Sequence, residues 1–92
     1  MNNIQTETLL VDETEITATK EKNLVLYNDE VNTFDFVIES LVKICKHDII
    51  QAEQCTYMVH YNGRCAVKTG ASEKLNPLCI ALLERGLTAQ IE

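Results

Sequence analysis

Two apolar stripes of helical period follow each other in this chain with only a short break between them, and that pair limits the fold more than any other feature. In the first, Phe34, Val37, Ile38, Leu41, Ile44 and Cys45 recur at the spacing that lines one face of an α-helix. Asn32 or Thr33 can cap its start, and Asp35 adds an acid to the first turn, where the helix dipole favours it. The stripe ends near Lys46. Asp48 reads as the next N-cap, with Gln51 as its capping-box partner. Ile49, Ala52, Cys55, Thr56 and Val59 carry the second stripe, and Asn62-Gly63 stops it, since both residues tolerate positive φ.

Short β-prone runs flank the pair: Asn23-Leu24-Val25-Leu26-Tyr27 before it and Arg64-Cys65-Ala66-Val67-Lys68 after it. A third helix follows, with Leu75, Leu78, Leu82 and Leu83 on its buried face. Ser72 could cap it, but Pro77 would then sit inside; a start at Asn76 puts Pro77 at the first helical position, where its missing N–H is harmless. Gly86 is a good stop, and Leu87 to Ile91 can form a last strand. The expected fold is therefore α+β: one small domain over residues 23–92, ordered β-α-α-β-α-β, with the helices packed on one face of a three-stranded antiparallel sheet. At 92 residues there is room for one core only. Residues 1–22, rich in Thr and Glu with no sustained period, read as a flexible N-terminal arm.

Charge and cysteine usage narrow the function. A net charge of −6 repels a phosphate backbone and suits a cationic partner, such as a peptide amino terminus or a basic protein face. No apolar run is long enough to span a bilayer, and Met1 to Gln5 carry no export signal. Neither nucleic acid nor membrane is an expected partner. Cys45, Cys55, Cys65 and Cys79 are too far apart in sequence for a zinc knuckle, so reduced, buried thiols are expected and no metal or cofactor. A cysteine enzyme would need an exposed thiol of low pKa, with His60 as its base. There is no nucleophile elbow and no phosphate-binding glycine loop, so no catalytic residue is assigned.

Two polar clusters remain. Asn28-Asp29-Glu30 lies between a strand and a helix, and His60 lies at the end of the second helix. An amide oxygen, a carboxylate and an imidazole nitrogen are all acceptors. Brought together they could hold an ammonium group through charge-assisted hydrogen bonds. Read separately, they are a turn, a helix start and a surface histidine.

At these same residues the chain resembles the ClpS family of protease adaptors. Leu24-Val25-Leu26-Tyr27-Asn28-Asp29-Glu30 is similar to the family's apolar strand followed by Asn-Asp-Asp. Phe34-Asp35-Phe36-Val37-Ile38 resembles its next helix start, and Met58-Val59-His60-Tyr61-Asn62-Gly63 its Val-His-x-x-Gly helix end. Glu84-Arg85-Gly86-Leu87 and Ile91-Glu92 resemble its C-terminal strand. The resemblance runs over residues 23–92. It implies a non-catalytic, cytoplasmic adaptor. Asn28, Asp29 and His60 would hold the free α-amino group of a substrate protein. Phe34, Val37, Thr56, Val59 and Leu87 would line a pocket for its bulky apolar first side chain. The second partner would be the N-terminal domain of a Clp AAA+ unfoldase, and residues 1–22 would match the family's variable arm. Three departures stand out: Glu30 for the second Asp, Asn32-Thr33 where Thr-Pro is frequent, and Phe34 and Thr56 where methionines are common. The last pair implies a pocket with an altered size preference. The layout also resembles the C-terminal domain of a ribosomal stalk protein, which would make this an assembly module with no affinity for free amines.

Overall fold

The computed structural model describes residues 20–92. Its elements run β1 (Glu21–Tyr27), α1 (Phe34–Cys45), α2 (Ile49–Asn62), β2 (Arg64–Ala71), α3 (Ser72–Glu84) and β3 (Thr88–Ile91). The strands form one antiparallel sheet in the order β2-β1-β3. The expected element order and fold class are those observed. The arm expected over residues 1–22 lies outside the described residues, except for its last three. Of these, Glu21 and Lys22 belong to β1, opposite Ala71 and Gly70. The first strand therefore starts two residues before the β-prone run, because β2 continues past Lys68 to Ala71 and gives those residues a partner.

The core lies between the sheet and the helices. Leu24, Leu26, Val67 and Ala89 from the strands meet Val37, Leu41, Cys45, Ala52, Val59, Leu75, Cys79 and Leu82 from the helices. The register shifts between Leu24 and Val25, which face Lys68 and Ala66, so Val67 is an extra residue on β2. Its carbonyl accepts a hydrogen bond from the buried His47 ring at 2.7 Å. A carbonyl only accepts, so Nε2 carries the proton. Lys68 Nζ reaches Cys45 O at 2.9 Å. Together they pin the α1–α2 connection to β2.

Capping follows local chemistry. Of the two candidates at the start of α1, Thr33 is the cap, its hydroxyl accepting from Phe36 N at 3.1 Å. Asp48 Oδ1 accepts from Gln51 N at 2.8 Å to start α2, and Gly63 ends it with φ 92°. Three expectations need correction. Ile49 does not join the buried stripe of α2; it is 56% exposed in the first turn. Leu83 is 49% exposed, and Cys79 takes its place in the core. Finally, α3 starts at Ser72, not Asn76, and Pro77 lies inside it. β2 passes straight into the helix at Ala71, and a later start would leave Leu75, 1% exposed, without its turn. Burying that leucine outweighs the one backbone bond Pro77 cannot make.

Candidate functional site

β1 is the central strand, so the chain leaving it after Tyr27 emerges in the middle of one end of the molecule. The α2 C-terminus ends at the same place. One backbone bond joins them, from Asn28 N to Gly63 O at 2.9 Å. The α3–β3 turn completes the ring. Gly86, at φ 89°, donates to Leu83 O at 2.9 Å and Leu87 N donates to Leu82 O at 3.1 Å. This paired closure of a helix end turns the next apolar side chain inward, and Leu87 is buried.

Between these ends lies a cavity of about 190 Å³. Drug-sized ligands occupy roughly 300–1,000 Å³, so this space suits one side chain and the group attached to it. All eight residues singled out from the sequence line it: Asn28, Asp29 and His60, and Phe34, Val37, Thr56, Val59 and Leu87. Val37, Thr56, Val59 and Leu87 are buried walls, whereas Asn28 and His60 are exposed at the rim. Phe34 stands between the two groups, its ring edge-on to His60 at 5.0 Å and to Tyr57 at 5.3 Å.

Asp29 is the best-held polar group here. Its Oδ1 accepts from Val31 N at 2.8 Å and Asn32 N at 2.9 Å, and its Oδ2 from Asn32 Nδ2 at 2.9 Å. Partial burial pushes the carboxyl up, but the bonds from Asn32 and Val31 together outweigh it, and its pKa lies below the ordinary value. At neutral pH it is a carboxylate. With about four acceptor positions and three in use, one on Oδ2 remains for an outside donor.

Asn32 has a role the sequence did not reveal. Rather than capping α1, its Nδ2 donates both to Asp29 Oδ2 and, at 3.0 Å, to Gly86 O. It ties the acceptor loop to the turn that aims Leu87. An Asn three residues after an Asp signals a local turn, but nothing local points to Gly86. Thr56 is the one buried wall residue with a polar side-chain group. Its hydroxyl donates to Ala52 O at 2.7 Å, one helical turn back, so its polar demand is met within α2.

The cysteines lie away from this cavity. Burial pushes Cys45 up to about 11 and, with Cys65 alongside, Cys55 up to about 12. Both are thiols at neutral pH, and neither lines the cavity with His60.

The cavity thus combines an apolar interior with a carboxylate, an amide and an imidazole at its rim. The family model described as ATP-dependent Clp protease adaptor protein ClpS matches residues 17–90. The chain belongs to the ClpS family. It is 37% identical over 60 residues to the ATP-dependent Clp protease adapter protein ClpS of Campylobacter jejuni subsp. doylei, covering 65% of this chain and 60% of that one. It thus spans about three-fifths of that relative's length. It is also 40% identical over 58 residues to the E3 ubiquitin-protein ligase UBR1 of Drosophila melanogaster, covering 63% of this chain and 3% of that protein. Its fold is similar to Agrobacterium tumefaciens ClpS2 bound to L-phenylalaninamide. The TM-score is 0.68 at 19% identity, covering 79% of this chain and 95% of the other.

Proposed function

We propose that this domain binds the free α-amino group and bulky apolar first side chain of substrate proteins, and delivers them to a Clp AAA+ unfoldase through that enzyme's N-terminal domain. It acts in the cytoplasm by binding, without turnover. The observation that carries this reading is the division of the cavity: buried Val37, Thr56, Val59 and Leu87 on the inside, acceptors Asn28, Asp29 and His60 at the mouth. A protein's first residue makes the matching demand. Its ammonium, with a pKa of about 8, brings three donors and no acceptor, and its side chain seeks a preformed apolar space. L-Phenylalaninamide, present in the ClpS2 structure, joins a free amine to a benzyl group in the same way.

Thr56 contributes depth where a methionine would fill space, and Phe34 contributes a rigid wall at the mouth. The pocket therefore favours long, flat side chains, Phe and Tyr, over branched ones. The test is fluorescence anisotropy with labelled peptides beginning Phe, Tyr, Trp, Leu, Ile or Ser, and with acetylated Phe. Binding that needs a free amine and a bulky first residue, and that weakens at least tenfold in Asp29→Ala and His60→Ala, is expected. Equal binding of free and acetylated peptides, or no binding from a folded sample, would reject the receptor reading and favour the assembly module.

A further inference from the structure

The pocket wall does not stop at the pocket. Phe34 and His60 line the cavity and also belong to a closed set of four rings that spreads from it onto the outer face of α2. Phe34 meets Tyr57 edge-on at 5.3 Å, Tyr57 stacks on Tyr61 at 6.1 Å with only 12° between the planes, and Tyr61 returns to His60 at 4.7 Å. Helical spacing accounts for the stacking of Tyr57 on Tyr61. It does not account for the link to Phe34, which comes from α1. Tyr57 is 52% exposed and Tyr61 72% exposed, and neither lines the cavity.

We propose that Tyr57 and Tyr61 form a second subsite, which takes an aromatic side chain at the third residue of the same peptide. This rests on the receptor reading above. In an extended peptide, side chains alternate, so the third shares a side with the first, about 7 Å further on. The Tyr57–Tyr61 pair adjoins the cavity rim at two points, 5.3 Å from Phe34 and 4.7 Å from His60, and so lies within reach of that step. The second side chain points away from the protein. Aromatic side chains gain edge-to-face and offset contacts on such a surface beyond the area they cover.

The test uses four labelled peptides with a common tail, beginning Phe-Ala-Ala, Phe-Ala-Phe, Phe-Phe-Ala and acetylated Phe-Ala-Ala. Their affinities are measured on the wild-type domain and on a Tyr57→Ala/Tyr61→Ala variant. Phe-Ala-Phe should bind about three- to tenfold more tightly than Phe-Ala-Ala, in line with an aromatic contact. The variant should lose the difference between Phe-Ala-Phe and Phe-Ala-Ala, whatever absolute affinity remains once the rings against Phe34 and His60 are gone, and should keep the difference between free and acetylated Phe-Ala-Ala, which shows that its pocket is intact. Amine-dependent binding with no gain from Phe at position three, a gain at position two instead, or a gain that survives in the variant would each overturn the shelf alone. Loss of the difference between free and acetylated Phe-Ala-Ala would overturn the pocket reading, and the shelf with it.

Discussion

Replacing Asn32 by Ala isolates the contribution of one side chain to both halves of the proposed site. The substitution deletes the bonds from Nδ2 to Asp29 Oδ2 and to Gly86 O, but keeps the backbone donors of residues 31 and 32 on Oδ1. A hydrogen bond to a charged group contributes about 1.5–3 kcal/mol and one between neutral groups about 0.5–1.5 kcal/mol. Both bonds here are partly solvated, so screening reduces the sum to about 1–2 kcal/mol of stability. If the loop must regain its geometry to bind, a similar share appears in affinity. At pH 7 a Phe-initiated peptide should bind roughly three- to tenfold more weakly, since about 1.4 kcal/mol is tenfold. The acid limb carries a separate signal. The Asp29 carboxyl lies below its ordinary value of 3.8 in the folded protein. Its contribution is thus complete above that value and is lost as pH falls through the lower folded one. Removing one of the bonds that lower it moves the acid midpoint of binding upward. Anisotropy from pH 7 to pH 3, with circular dichroism to confirm folding at each point, reads both effects. Affinity within twofold of wild type together with an unmoved acid midpoint would refute the coupling.

Other expectations follow from single contacts. Thr56→Val should keep peptide affinity within twofold and lower stability by no more than about 1 kcal/mol in urea titrations, because the Thr56 hydroxyl answers only to Ala52 O. Thr56→Met should instead weaken Phe and Tyr peptides more than Leu peptides, by filling the depth of the cavity. Leu41, fully buried where α1 meets the core, should cost about 2–5 kcal/mol when cut to Ala, measured by denaturant unfolding. Cys45 and Cys55, pushed up to about 11 and about 12, should react with a thiol reagent at pH 7.5 at least tenfold more slowly in the native protein than in denaturant. Fast native labelling of either would contradict their placement.

The order of elements was legible because each signal was local. Helical stripes, the Asp48 cap and the Gly63 stop all act within a few residues, and the structure follows them. Where a local rule met a distant contact, the contact won. The rule that keeps Pro77 out of a helix interior gave way to the burial of Leu75 and the direct passage from β2. Leu83 and Cys79 satisfy helical spacing about equally well, and only the packing of α3 on the sheet separates them. The cavity residues were named from the resemblance, and their residue types explain why they suit it. Local sequence offers Asn32 only as one of two caps for α1, because its second partner, Gly86 O, belongs to a turn far along the chain. The inward-turned hydroxyl of Thr56 was hidden for the opposite reason: its partner is its own helix.

The position of β1 between β2 and β3 has a consequence for synthesis. The residues that end β1 are made early, yet their neighbours on one side are Thr88 to Ile91, and Leu87 closes the pocket. A nascent chain that has released β1, α1 and α2 from the ribosome already carries Asn28, Asp29 and His60, but it has only one of the three strands and an open wall. Contacts between such distant segments form late, because closing the intervening loop is entropically unfavourable. The cavity is therefore completed only when translation reaches β3, after every residue of its polar rim has already been made.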